Sequence, residues 1–140
     1  MFLTAEYFFA NPSKEHYLMD ISRNIGIAHT SIKKNLKELV KIGIVVRHTE
    51  KKGERLFPIY KASLDNKAFK MYKLIYNLSS ILESGLIDFI EETLTPKSIV
   101  LFGSYSRGED TESSDIDVFV ECKRERLNLE KFEKKLIRKI

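Results

Sequence analysis

The stretch Leu101–Val120, LFGSYSRGEDTESSDIDVFV, constrains this 140-residue chain more than any other part of it. An apolar, β-rich run, Ile99–Phe102, breaks at Gly103-Ser104, and a polar loop, Tyr105–Ser114, follows. Asp115-Ile116-Asp117 then leads into a second apolar run, Val118–Val120. Two buried strands joined by such a loop bring Gly103, Ser104 and both aspartates to one end of a small sheet. Residues i and i+2 of a strand share a face, roughly 6.6 Å apart along the chain. Asp115 and Asp117 can therefore converge on one hard cation while Ile116 and Val118 pack on the other face. Oxygen ligands of this kind suit Mg²⁺, which is held by one or two carboxylates plus substrate phosphates. Gly103 lets the backbone approach a phosphate, and Ser104 can donate to it through its N–H and hydroxyl. Arg107 adds a cation for phosphate oxygens. The arrangement suits a metal–triphosphate complex.

Gly103-Ser104, ten residues, then Asp115-x-Asp117 resembles the GS-x10-D-x-D signature of the minimal nucleotidyltransferases of the polymerase-β superfamily, down to the wording SYSRG and SDIDV. The resemblance implies Mg²⁺-dependent transfer of a nucleoside monophosphate from an NTP to a protein or nucleic-acid hydroxyl, with release of pyrophosphate. It implies Asp115 and Asp117 as catalytic metal ligands, in a site that can take two metals. Gly103, Ser104, Arg107 and Ser114 become the nucleotide-binding set. Minimal members often act as antitoxins that nucleotidylate a helical HEPN toxin, which makes such a toxin a candidate partner. The superfamily usually carries a third carboxylate on a later strand. Only 23 residues follow Asp117 here, reading as loop plus helix, so the expectation is a lobe that is truncated or lacks that strand. Glu121 shares the face of the aspartates but lies roughly 13 Å along a strand from Asp117, and Glu125, Glu130 and Glu133 fall on the helical pattern. The expected outcome is a chain that binds Mg-NTP and transfers slowly. A nucleotide-sensing regulator or antitoxin without enzymatic activity is the alternative.

Charge is segregated along the chain. Residues 1–62 carry eleven Lys/Arg against six Asp/Glu, residues 63–122 five against eleven, and residues 123–140 eight against three. Basic ends around an acidic centre suggest two functions in separate places. No apolar run approaches the roughly 18 residues of a membrane span, which excludes a helical membrane anchor within this sequence. A single cysteine, Cys122, excludes an internal disulfide and fits a cytoplasmic protein. Its alternation with Val118 and Val120 predicts a packed thiol.

The N-terminal pattern predicts a short buried helix over 2–10, then Ser13 capping a helix with Leu18, Ile21 and Ile25 on one face and Gly26 at its end. A third helix runs from about Thr30 to Lys41, with Ile32, Leu36, Leu39 and Val40 inward. Ala28 stands where a cap is usual, so Thr30 or Ser31 is expected to cap instead. A strand over 44–47, a polar loop over 48–54 and a strand over 56–60 complete a hairpin, with Pro58 placing the second strand at an edge. This order resembles the winged helix-turn-helix of many prokaryotic regulators. That resemblance implies duplex DNA as a partner, met by His29, Thr30, Ser31, Lys33 and Lys34 on the third helix and by Lys51, Lys52 and Arg55 on the wing.

Residues 65–83 and 86–94 read as helices, the first with Phe69, Tyr72 (or Lys73), Tyr76 and Leu82 on its stripe, widened by Ile75 and Leu78. It either joins the lobes or forms a homodimer seam. Asn128–Ile140 reads as an amphipathic helix with Leu129, Phe132, Leu136 and Ile140 on one face. The whole is an α+β protein: a winged helix-turn-helix over 1–62, connecting helices over 63–93, and a small mixed-sheet nucleotidyltransferase lobe over 94–140.

Overall fold

The computed structural model describes residues 1–140, in two compact units, Met1–Lys70 and Met71–Ile140. Helices and two small antiparallel sheets make it an α+β protein. No helix is long and apolar enough to cross a membrane.

The first unit runs α1 (Phe2–Ala10), β1 (Glu15–Tyr17), α2 (Leu18–Ile25), α3 (His29–Lys41), β2 (Val45–Lys52) and β3 (Arg55–Ala62). Ile32, Leu36 and Leu39, spaced along one face of α3, bury themselves with Ile21 of α2 and Phe8 and Phe9 of α1. Phe9 meets Phe69 with ring centroids 5.5 Å apart. Val40 lies off that stripe and is exposed, contrary to the expected inward position.

Three boundaries and one strand position differ from the sequence expectation. Residues 15–17 do not open a helix capped by Ser13; they pair with Lys61, Tyr60 and Ile59, so α2 starts only at Leu18. α3 starts at His29 behind Ala28, with no side-chain cap, and neither Thr30 nor Ser31 takes that role. The hairpin is longer than read: β2 and β3 pair from Val45–Ala62 to Lys52–Arg55, leaving only Gly53 and Glu54 as the turn. Strand β3 is central, in the order β1-β3-β2, although it holds Pro58. Its other neighbour, β1, ends at the Tyr17–Ile59 pair, one residue short of Pro58, so the missing N–H costs no ladder bond to β1 there.

The second unit contains most of α4 (Lys67–Ser84), then α5 (Leu86–Leu94), β4 (Ser98–Phe102), β5 (Asp117–Glu121) and α6 (Glu130–Leu136). Helix α4 begins later than read because the Asn66 side chain accepts from the Ala68 N–H at 2.8 Å. Ile81, Leu86, Ile90, Tyr105, Ile116 and Phe132 form the core, and Ile99, Leu101, Val118 and Val120 of the sheet pack on it. The strands are partly buried, and on that face only. Val100, Phe102 and Phe119 on the other face are half-exposed. The sheet is antiparallel, not mixed, because its two strands are joined by a loop that reverses the chain.

The α4 stripe also departs from the reading. Ile75, Leu78 and Leu82 are exposed, and of the two candidates Tyr72 and Lys73 it is Lys73 that is buried, together with Asn77. Helix α6 is shorter than 128–140, because Ile137 adopts φ +54° and turns the chain away. The Ile116 N–H then donates to the Lys139 carbonyl at 2.7 Å. Strand β5 ends at Glu121, so Cys122 is exposed and not packed.

Candidate nucleotide site

The register Phe102–Asp117 ends the β4–β5 ladder and sets Gly103 beside Asp117. Gly103 has φ +73°, a conformation disfavoured for residues with a Cβ. A Cβ built there would overlap an Asp117 carboxylate oxygen and lie 3.0 Å from the carboxyl carbon. The glycine is what lets this carboxylate sit against the backbone.

The loop beyond it is closely hydrogen-bonded. Tyr105–Arg107 make a 3-10 turn, and the Ser104 carbonyl accepts from the N–H of Arg107 (3.1 Å) and of Glu109 (3.0 Å). The Ser106 hydroxyl donates to the Gly103 carbonyl at 2.9 Å. The Ser114 hydroxyl accepts from the Thr111 N–H at 2.9 Å, and the Ser114 N–H donates to the Thr111 carbonyl at 3.1 Å, closing a second turn just before Asp115. Ser114 thus shapes the loop through its hydroxyl. Arg107 is exposed, with Nε 2.9 Å from Glu109 Oε2, so its fork is partly engaged.

Of the two aspartates, only Asp117 lies in β5. Asp115 is exposed in the loop before it, so the alternation of a strand does not by itself align the pair. Glu121 is at the far end of β5, where it accepts from Ser98 at 3.2 Å. Asp115 shares a cleft of about 690 Å³ with Glu112, Glu133, Lys134 and Arg138. Hydrogen bonds from Lys139 and from the Ile140 N–H hold the Glu133 carboxyl below its usual range. No group of three or more His, Cys, Asp or Glu side chains is assembled as a metal cluster. Asp115 and Asp117 are hard oxygen donors of the kind that fits Mg²⁺ with substrate phosphates completing the shell.

Two residues to which the sequence reading gave no role at the site support this loop from α4. Lys73 Nζ is 2.9 Å from Asp110 Oδ2, and Asn77 Nδ2 donates to Asp110 Oδ1 at 2.7 Å and to the Tyr105 carbonyl at 2.9 Å. Burial pulls the Lys73 ammonium below its ordinary value, against the pull of Asp110. The signal in the sequence is the spacing Phe69, Lys73, Asn77, Ile81, a four-residue period with two polar members.

In the first unit, His29, Thr30, Ser31, Lys33 and Lys34 are all exposed on α3, and Lys51, Lys52 and Arg55 are exposed at the end of the hairpin. Lys52 is 3.3 Å from Glu50 and lies over the Tyr17 ring, 4.7 Å from its centroid. The Tyr17 hydroxyl bonds Glu50, which holds that carboxyl low, and the same cluster holds Lys52 above its ordinary value.

Residues 83–140 match the model of the nucleotidyltransferase domain family. The match covers all of the core except Ile81, the loop and both aspartates, and supports nucleotidyl transfer as the class of chemistry. Three proteins of Methanocaldococcus jannaschii, each provisionally named a protein adenylyltransferase, share sequence with the chain. One is 76% identical over 25 residues, 18% of this chain and 25% of the relative. Two are 56% identical over 32 residues, 23% of this chain and 37% and 33% of their own lengths. The chain therefore spans between a quarter and a little over a third of these relatives. No solved structure matches it.

Proposed function

We propose that the second unit binds a nucleoside triphosphate with Mg²⁺ and transfers the nucleoside monophosphate to a hydroxyl. The observation that carries this is the Gly103–Asp117 juxtaposition at the end of the β4–β5 ladder. Asp115 and Asp117 would hold the metal, which when bound supplies charge neutralisation to the triphosphate. The Gly103 and Ser104 N–H groups and the Ser104 hydroxyl would donate to phosphate oxygens, with Arg107 released from Glu109 to join them. In the transfer, the acceptor oxygen bonds to the α-phosphorus, the bond from that phosphorus to the β-bridging oxygen breaks, and pyrophosphate leaves. The hydroxyl proton passes to solvent rather than to a side chain. Positioned acid–base assistance contributes typically about 10²–10⁴-fold, so transfer is slow. The relatives' names favour ATP as donor and a protein hydroxyl as acceptor. Glu121, the next carboxylate on β5, lies at the far end of the strand bonded to Ser98, which favours, as a second reading, a nucleotide sensor without turnover.

For the first unit we infer a duplex-binding winged helix. The order of three helices and a terminal hairpin, with exposed lysines on α3 and on the hairpin, supports it.

Calorimetric titration with ATP and GTP, with and without Mg²⁺, tests the site. Metal-dependent binding that disappears in the Asp115→Asn/Asp117→Asn double variant is expected. Equal affinity in that variant would refute the assignment. Incubation with α-labelled NTPs and a candidate acceptor separates slow transfer from a pure sensor.

A further inference from the structure

Asp110 sits at the midpoint of the loop between Ser104 and Asp115, and it is buried. So are Lys73 and Asn77, each only 1% exposed, as Asp110 is. Charges are kept at such sites only when they are paired and hydrogen-bonded. Here both carboxylate oxygens are used: Oδ2 by Lys73 Nζ at 2.9 Å and Oδ1 by Asn77 Nδ2 at 2.7 Å. Asn77 spends its second amide hydrogen on the Tyr105 carbonyl at 2.9 Å. Two residues one helical turn apart on α4 thus grip the loop at both ends of Tyr105–Asp110. Arg138 adds a third segment, with its guanidinium 3.9 Å from Asp110 Oδ2. Between the two grips lie the N–H groups of Arg107 and Glu109, both bonded to the Ser104 carbonyl. The network therefore fixes the backbone that continues directly from Gly103-Ser104.

Lys73 and Asn77 precede residue 83, where the nucleotidyltransferase match begins. We propose that Lys73 and Asn77 are positioning residues for the nucleotide site: through Asp110 and the Tyr105 carbonyl they hold the Gly103–Asp115 loop in its phosphate-binding shape, so α4 is a working part of the transferase lobe. This rests on the function proposed above. A hydrogen bond to a charged phosphate is worth about tenfold or more in affinity, so a loop that no longer aims its N–H groups should be read first in nucleotide affinity.

Two full-chain variants test it. Asn77→Leu removes both grips made by the asparagine. Lys73→Met/Asp110→Asn removes the ion pair without leaving one member of it buried alone. Each is assayed well below its melting temperature for the Kd of Mg-ATP and for amide exchange at Arg107 and Glu109, with β4 and β5 amides as internal reference. The expected result is at least about tenfold weaker nucleotide binding and about tenfold faster exchange at those two amides, with the strand amides unchanged. Folded variants that bind Mg-ATP within twofold of the parent would overturn the proposal, even if exchange accelerates, because the network would then serve stability alone. Unchanged exchange would overturn it as well. A parent protein that binds no nucleoside triphosphate with Mg²⁺ would instead sink the function reading, and the exchange measurement would still decide whether α4 holds the loop.

Discussion

Replacing Gly103 by alanine separates what the fold needs from what the site needs. The backbone there has φ +73°, and a left-handed conformation costs a residue with a Cβ roughly 1–2 kcal/mol. The new methyl would also overlap an Asp117 carboxylate oxygen and lie 3.0 Å from its carboxyl carbon. Rotation about its Cα–Cβ bond can swing the carboxylate away, and the Asp117 Cβ, 3.3 Å from the new methyl, has to give by only a few tenths of an ångström, so the overlap adds little to the stability loss. For a unit of this size, about 1–2 kcal/mol lowers Tm by roughly 5–15 °C. The swing, however, moves the proposed metal ligand and places a methyl where a phosphate would approach. Gly103→Ala should therefore melt within that range, keep a cooperative transition, and lose Mg-ATP affinity by about 10- to 10²-fold, the worth of one or two contacts to a charged group. Thermal unfolding followed by circular dichroism and calorimetric titration of the same sample supply the two numbers. A variant that melts lower yet binds Mg-ATP like the parent would refute the reasoning, since Asp117 and the Gly103 backbone would then not form the site.

The Tyr105 phenol is pushed up to about 12, chiefly by burial and then by Asp110. Because the unfolded phenol ionises near pH 10 and the folded one does not, the stability present below pH 10 falls as pH rises toward 12, by about 2 kcal/mol. Urea unfolding at pH 9 and pH 12 should show that extra loss in the parent and not in Tyr105→Phe; Lys73 contributes to both proteins and cancels. Phe132 is buried and its ring centroid lies 5.0 Å from that of Phe89, so Phe132→Ala should cost about 3–5 kcal/mol, read by denaturant unfolding. A loss under about 1 kcal/mol would mean that α6 does not close the core. In the first unit, Lys33→Ala/Lys34→Ala should flatten the dependence of duplex affinity on log salt by about one unit per lost phosphate contact. An unchanged slope in a fluorescence-anisotropy titration would move nucleic-acid contact away from α3.

How legible the molecule was depended on the range of the interaction involved. The core stripes of α2 and α3, the stop at Gly26 and the strands flanking the loop follow from local pattern, because burying one face imposes a period on nearby residues. Gly103 beside the second aspartate was readable for the same reason: two strands and a connecting loop leave few ways to place their ends. Strand β1 was not readable, since three residues with no alternation become a strand only when β3 offers them a partner. The central place of β3 despite Pro58, the early end of α6 at Ile137 and the exposed thiol of Cys122 likewise depend on where neighbouring segments stop. The loop position of Asp115, outside the strand, belongs with them. The buried Lys73–Asp110–Asn77 contact is the clearest case: hydropathy places lysine and asparagine outward. Only an aspartate 37 residues beyond Lys73, folded against the same helix face, supplies the charge and acceptors that make their burial favourable.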